Sequence, residues 1–299
     1  MSGPLVSALI PTLNGAATLG PLLEALQRVR ARDDRLEILA IDSGSTDGTI
    51  EMLEAARVTV QDLGGYPFGH GSARNRIAGF SRGDVLLFLT QDVEPVGDQW
   101  LSALVAPLAV PGVAGAFGRQ LPRGASPEEA FLAGANYPAQ PRVITRDALN
   151  RPFGPGATFF SNAFGAMRRD VWRRIPFPEI VMSEDQAWAR AVLAAGLAIH
   201  YVPEAAVYHG HRLTLGRAFR RNFDSGSALQ ALGLTGGAWR LGFRHLVSEL
   251  TWISESFGLP AAARALVYEA VRMAGFQAGR MERMLPRAVA RRLGEAPRG

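Results

Sequence analysis

The first ninety residues constrain this chain most. Short apolar runs recur there, and stretches with helical spacing fall between them. Residues 5–10 (LVSALI) form a strand-like run closed by Pro11. Leu19, Leu22, Leu23, Leu26 and Val29 follow at helical spacing. Residues 36–41 (LEILAI) read as a second buried strand. Asp47 reads as the N-cap of the next helix, which runs through Met52, Leu53 and Ala56. A short third strand spans 58–60, a helix spans 73–80, and residues 85–89 (VLLFL) are a fourth strand, apolar throughout. Strands of this kind alternating with helices predict βαβ units and a largely parallel sheet covered on both faces. Ligands of such sheets sit at the carboxyl ends of the strands, so polar residues should collect where strands stop. They do: PTLN follows the first strand, DSGS the second and TQD the fourth.

Regularity falls after residue 118, and Gly, Pro and Asn crowd the chain through 162, which predicts loops and short elements. A strand is expected at 162–167 and another at 198–202. A helix is expected at 184–195, with Trp188, Ala191, Val192 and Ala195 on one face. From Thr214 the pattern is helical to near the end, broken around 233–237 and 258–260. The most apolar stretch, 100–117, contains Pro107 and Pro111 and reads as helix, turn and strand rather than a membrane span. The first residues show no signal-peptide pattern, and the expectation is a cytoplasmic protein. Hydrophobic residues make up 47% of the 299, enough for a large core, and the absence of Cys excludes disulfides, thiolate zinc and a Cys nucleophile.

Several polar groups could carry chemistry. Asp42-Ser43-Gly44-Ser45 joins a strand to a helix whose free N–H groups suit phosphate, although an ordinary capped loop would look the same. Arg74 and Asn75 sit on the first turns of a helix and could face an anion. Thr90-Gln91-Asp92-Val93-Glu94 follows the most apolar strand, where a carboxylate needs a partner such as a divalent cation on a diphosphate. Glu184 and Asp185 open a helix, as the helix dipole alone would favour, or supply a general base. His209 and His211, two apart on an extended segment, should point to opposite sides, so at most one faces a given site.

In this order the motifs resemble the family-2 glycosyltransferases of the GT-A fold, and among them the bacterial rhamnosyltransferase-like branch. The resemblance rests on Ile10–Asn14, Ile41–Thr49, Gly69–Asn75, Phe88–Asp92, Gly118–Gln120, Phe160–Asn162, Ser183–Trp188 and Tyr208–His211, and it runs from Leu5 to about Phe223. It implies an α/β GT-A domain over 1–210, a Rossmann-like, mostly parallel mixed sheet flanked by helices, with a nucleotide-sugar half to about 120 and an acceptor half beyond. A helical segment over 211–299 completes the chain. It also implies an inverting hexosyltransferase that moves a sugar, rhamnose by the branch, from a nucleoside diphosphate-sugar to a hydroxyl of a glycan or lipid-diphosphate-linked acceptor in cell-envelope polysaccharide synthesis. By similarity Pro11, Thr12, Asn14 and Asp42 would hold the nucleotide, Asp42 accepting from the base N–H, with Ser43, Arg74, Asn75 and Gln91 completing the set. Asp92 would bind Mg2+ or Mn2+. The first acidic position of the family's D-x-D element is Thr90 here, leaving Asp92 to carry the cation with help from Glu94 and with His209 as a further ligand. Asp185 looks like the general base, a role worth about 10²–10⁴-fold. Glu184 would bind the metal, the acceptor or Arg74.

Two other readings compete. A sugar-phosphate nucleotidyltransferase would carry a Gly-rich basic loop where Pro11-Thr12-Leu13-Asn14 stands. A non-catalytic sugar-binding protein would explain Thr90, but not an intact Asp185 and His209. The charge is uneven: residues 1–209 hold 18 Arg against 21 acidic residues, and 210–299 hold 14 Arg against 6, with no Lys anywhere. The Arg-rich end lacks the interleaved aromatics of a nucleic-acid surface. Arg217, Arg220 and Arg221 fall on one helical side beside Leu215, Phe219 and Phe223, and Trp239, Phe243, Leu246, Leu250 and Trp252 add apolar bulk. Peripheral contact with the inner face of an anionic membrane is expected from this pattern. Packing on the catalytic domain, or on a second copy as a homodimer, would show the same faces.

Overall fold

A computed structural model describes residues 3–64, 69–124, 126–150, 158–180, 182–210, 214–233 and 238–295; in the last of these, side chains are described from residue 244 on. His211 and the side chains of Trp239 and Phe243 lie outside the described residues.

Among the described residues nine strands form one mixed sheet, in the order β3-β2-β1-β4-β8-β6-β9-β5, with β7 also paired to β9. The parallel half is β1 (Val6–Thr12), β2 (Leu36–Asp42), β3 (Thr59–Asp62) and β4 (Val85–Leu89). It is crossed by α1 (Gly20–Arg32), α2 (Thr49–Ala55) and α3 (His70–Phe80). β4 shows how the sheet is buried: Val85, Leu87 and Leu89 enter one core, Leu86 and Phe88 the other. A strand covered on both faces cannot alternate polar and apolar residues, which is why the run is continuous.

The second half departs from the parallel pattern. β8 (Phe164–Arg168) runs antiparallel between β4 and β6 (Val113–Leu121). β5 (Glu94–Pro95) and β7 (Arg142–Ile144) run antiparallel to β9 (Ala198–Tyr208), which is itself parallel to β6. α4 (Trp100–Val105), α5 (Pro127–Asn136), α6 (Arg169–Arg174) and α7 (Glu184–Ala194) surround these strands. β9 continues well past the expected residue 202. Its register with β6 jumps from Gly118↔Val202 to Arg119↔Ala206, around Pro203, which has no N–H to give the ladder. The jump sets Val207 opposite Gln120 and so delivers His209 beside it, where the His209 N–H donates to the Leu121 carbonyl at 3.0 Å. The buried face of α7 also differs from expectation. Trp188, Ala189, Val192 and Leu193 are buried, whereas Ala191 and Ala195 are exposed.

The C-terminal segment is helical, as expected: α8 (Leu215–Ala231), α9 (Ala238–Phe257), α10 (Leu259–Arg280) and α11 (Arg287–Leu293). α8 and α10 approach backbone to backbone at glycines. A Cβ on Gly226 would strike the Phe276 carbonyl, and one on Gly279 the Phe223 carbonyl. α9 and α10 pack on α5, with Phe131 against His245 and Trp252 at ring separations of 5.2 and 5.7 Å, and Arg264 3.7 Å from Glu128. Trp252 is therefore half-buried in an intramolecular contact rather than free surface bulk. Among the described residues no helix is long and apolar enough to cross a membrane.

Candidate active site

The carboxyl ends of β1, β2 and β4 form the first corner of the site. Asp42, 3% exposed at the end of β2, accepts from Thr12 Oγ1 at 2.8 Å and Ser45 Oγ at 2.6 Å. It also accepts from the N–H groups of Gly44 and Ser45 at 2.9 and 2.7 Å. Burial alone would raise this carboxyl, but the bonds from Ser45, Thr12 and Gly44 outweigh it and hold the group below the usual carboxylate range. A carboxylate has about four lone-pair sites, and the loop fills them, so a base N–H must displace one. Pro11 pairs with Ile41 in the ladder, and the Ser43 N–H extends it to the Thr12 carbonyl at 3.0 Å. Asn14 takes a positive φ of 47° and accepts from the Thr46 N–H at 2.9 Å, locking the two loops together. Gly48, not Asp47, caps α2; Asp47 reaches past it to the Thr49 N–H at 3.2 Å.

Gln91 does not face into this corner as a nucleotide ligand. Its amide brackets the Leu13 backbone, accepting from the N–H and donating to the carbonyl, both at 3.0 Å. Gly15 leaves it room, since a Cβ there would lie 2.5 Å from Gln91 Oε1. Gln91 thus ties the β1 loop to the residue preceding Asp92.

The second corner is Asp92 and His209. His209 Nε2 lies 3.5 Å from the Asp92 carboxylate, and both side chains are largely buried. His209 Nδ1 is 2.8 Å from Gln120 Oε1, while Gln120 Nε2 donates to Ser161 Oγ at 2.8 Å. Assigned this way, the Gln120 carbonyl takes the Nδ1 proton and leaves the Nε2 lone pair facing a carboxylate. Two lone-pair donors facing each other suit a divalent cation whose remaining ligands come from phosphate and water. The Thr90 hydroxyl, two residues before Asp92 in the chain, is buried without a hydrogen-bond partner. Glu94 does not join: it is bound through both oxygens to Arg123, whose guanidinium draws it away. Among the described residues no third His, Cys, Asp or Glu completes a protein-only cage.

The third corner opens α7. Glu184, 4% exposed, accepts from Arg74 Nη1 at 3.1 Å and from Asn162 Nδ2 at 2.7 Å. The approach of α3 to this turn depends on Gly71, where a Cβ would strike the Pro178 carbonyl and crowd Glu184. Asp185 has a different environment. Burial and the neighbouring Glu184 charge push its carboxyl up to about 7, against the pull of Arg74 and of the Gln186 and Asn162 N–H groups. Ser183, just before the pair, holds φ at 65°, a region side-chain-bearing residues rarely adopt. Asn75 turns away: its amide binds the Phe177 backbone at 2.8 and 3.1 Å and the Trp172 indole N–H at 2.9 Å.

One run of contacts joins the corners. Asp42 and Thr12 lead through Leu13 and Gln91 to Asp92 and His209, then through Gln120 and Ser161 to Asn162, which touches both Glu184 and Asp185. The sequence pattern described as Glycosyl transferase family 2 matches residues 7–175, and these carry β1 through α6. The chain belongs to glycosyl transferase family 2. This glycosyltransferase is 30% identical over 297 residues to the O-antigen chain rhamnosyltransferase RfbN of Salmonella typhimurium, an alignment covering 96% of this chain and 93% of the relative. It is also 30% identical to the O-antigen chain rhamnosyltransferase WbaN of Salmonella anatum, over the same shares of the two chains. Its fold is that of the Pyrobaculum calidifontis mannosyltransferase PcManGT, solved with GDP-Man and Mn2+. That structure matches with a TM-score of 0.63 and 18% identity, over 95% of this chain and 88% of that one.

Sequence reasoning placed Asp42, Thr12, Asp92, His209, Glu184 and Asp185 on this rim but gave no role to Gln120, Ser161 and Asn162, which connect them. Those three lay in motifs already noted. Tyr137 and Arg221, which border the site on the far side of His209, sit in stretches with no motif at all.

Proposed function

We propose that this glycosyltransferase moves a sugar, rhamnose by analogy with RfbN and WbaN, from a nucleoside diphosphate-sugar to a hydroxyl of a glycan or lipid-linked acceptor, with inversion and with Asp185 as general base. One observation carries the reading. Asp185 is the carboxyl on the rim whose proton affinity is lifted to about 7, where a group can both take a proton and release it at neutral pH. Its neighbour Glu184 is committed to Arg74 and Asn162, so the two acids divide their work. Asp185 takes the proton from the attacking hydroxyl, while the Arg74–Glu184 pair fixes the helix end that presents it. The β1 and β2 loops hold the nucleotide through Pro11, Thr12, Asn14 and their own N–H groups.

Asp92 and His209 Nε2 would hold a Mg2+ or Mn2+, which when bound offsets charge on the diphosphate oxygens. The mannosyltransferase of the same fold, solved with Mn2+ and GDP-Man, supports this assignment. The Arg excess after residue 210 supports peripheral contact with an anionic membrane, where lipid-linked acceptors reside.

The test is Asp185→Asn. Transfer from deoxythymidine diphosphate-rhamnose should fall at least about 10²-fold, while calorimetric affinity for deoxythymidine diphosphate with Mn2+ stays within about twofold. Turnover near that of the unmodified enzyme would remove Asp185 from the role.

A further inference from the structure

The end of β6, α5 and α8 enclose an open cleft of about 230 Å³ that begins at His209. Tyr137 stands on its wall. α5 stops at this residue, whose N–H closes the helix on the Ala133 carbonyl at 2.8 Å. The Tyr137 ring makes edge contacts with Phe159 and Phe117 at 5.7 and 6.5 Å. Its hydroxyl hydrogen-bonds to Gln120, near the end of β6, and to Ser161, just ahead of β8. Gln120 Nε2 lies 2.8 Å from Ser161 Oγ, so the three side chains form a closed triangle. Gln120 and Ser161 are each 8% exposed, which leaves water little room to complete their bonds.

Counting protons fixes the direction of these bonds. Each edge of the triangle needs one proton between its two heavy atoms. The Tyr137 and Ser161 hydroxyls bring one each, since burial pushes the Tyr137 phenol above its ordinary range and keeps it protonated. The third proton has to come from the Gln120 amide. With the amide reversed, its carbonyl would face the two hydroxyls. Two protons would then serve three edges, and one pair of oxygens would meet lone pair to lone pair. Nε2 therefore points into the triangle, and Oε1 points out of it at His209 Nδ1, 2.8 Å away. A carbonyl oxygen only accepts, so Nδ1 carries the proton. In the neutral ring the lone pair is then on Nε2, 3.5 Å from the Asp92 carboxylate.

We propose that Tyr137 is a positioning residue: by closing this triangle with Ser161 it locks the Gln120 amide, and through it the His209 tautomer, in the orientation that offers Nε2 to a divalent cation. The lock rests on the cation reading of Asp92 and His209 above, and it adds a residue that acts on His209 through Gln120. Removing the Tyr137 hydroxyl leaves a single edge, Gln120 to Ser161, which one proton from either partner satisfies. The amide can then turn over. Its N–H would face Nδ1, which drives the ring to the Nε2–H form and aims a proton at Asp92 where the cation belongs.

The full chain is prepared with isotope-labelled histidine and studied without metal at pH 8, where the ring-nitrogen NMR signals show which nitrogen bears the proton. His209→Gln identifies the His209 signals among those of the five histidines. His209 should be Nδ1–H in the unmodified protein. Tyr137→Phe, which keeps the ring and removes only the hydroxyl, should shift it toward Nε2–H, and so should Ser161→Ala. Mn2+ affinity in the presence of deoxythymidine diphosphate, read from the paramagnetic resonance of unbound Mn2+, should fall about tenfold or more in both variants. Tyr201→Phe is the structural control: it deletes a hydrogen bond to the Pro138 carbonyl in the same aromatic cluster, and should leave the His209 tautomer unchanged. An Nε2–H ring in the unmodified protein overturns the proposal, as does a Tyr137→Phe variant with an unchanged tautomer. A Tyr201→Phe variant that shifts the ring as far as Tyr137→Phe also overturns it, since loosened packing would then be the cause. An Nδ1–H ring in a protein that takes up no Mn2+ would end the cation reading and still support the lock.

Discussion

Glu184 and Asp185 are adjacent in sequence and opposite in behaviour. Glu184 is paired with a buried cation and ties down a helix end, whereas Asp185, half-buried beside it, lacks that partner. A base must be ionised to act, so kcat/KM should rise about tenfold per pH unit below pH 7 and level off above it, as a pH–rate profile would show. The same shift has a sign in stability. A carboxyl whose folded pKa exceeds its unfolded value costs stability as pH rises from about 4 to about 7. Asp185→Asn should therefore melt higher than the parent at pH 8, with the gap closing below pH 4. At the second corner, Asp92→Ala should weaken deoxythymidine diphosphate binding in Mn2+ by about tenfold or more, and leave thymidine binding unchanged. Equal losses for both ligands in calorimetry would contradict a cation-mediated role. Polar residues at strand ends were legible in the sequence, but their direction was not. Gln91, Asn75 and Glu94 sit where ligand contacts belong and instead bind Leu13, Phe177 and Arg123. A side chain that ties a loop and one that faces a ligand are chemically the same residue, and only the fold separates them.

Elements were legible where periodicity was strong. The parallel half and the C-terminal helices could be read from apolar spacing. The antiparallel insertion of β8 could not, because a five-residue apolar strand carries no information on polarity. The jump in β9 was also hidden, since Pro203 in a strand-like run signals a break but not its size. α9 carries a buried group that no motif announced. Glu249 is fully buried, both its oxygens lack hydrogen-bond partners, and burial together with Glu269 and Glu128 pushes its carboxyl up to about 8. The folded state holds it protonated while the unfolded chain ionises above about pH 4.5, so its cost grows from there to about pH 8. Glu249→Gln should leave the melting temperature nearly unchanged at pH 4 and raise it at pH 8.5. A variant less stable than the parent at pH 8.5 would show that this carboxyl is held ionised.

On the scale of the whole molecule, charge is separated along the chain and gathered on one end. Around α11, the exposed cations Arg283, Arg287, Arg291 and Arg292 alternate with exposed Met281, Met284 and Val289. Each Arg near an anionic leaflet is worth about 1 kcal/mol. The protein should therefore float with phosphatidylglycerol-rich vesicles at low salt, and Arg287→Glu, Arg291→Glu and Arg292→Glu combined should release it. Flotation that ignores both salt and charge reversal would exclude electrostatic attachment. The sheet order has a consequence for how such enzymes diverge. The loops of β1, β2 and β4 stand at one end of the strand row, and the β6–α5–α8 cleft begins two strands further on, with the antiparallel β8 between. The two neighbourhoods meet at His209 and Gln120, and changes away from that junction need not be transmitted from one to the other. Recombination between α4 and β6, which keeps β6, α5 and α8 together, should then yield hybrids that inherit the nucleotide preference of one parent and the glycan preference of the other, and lineages could explore new linkages without relearning their donor.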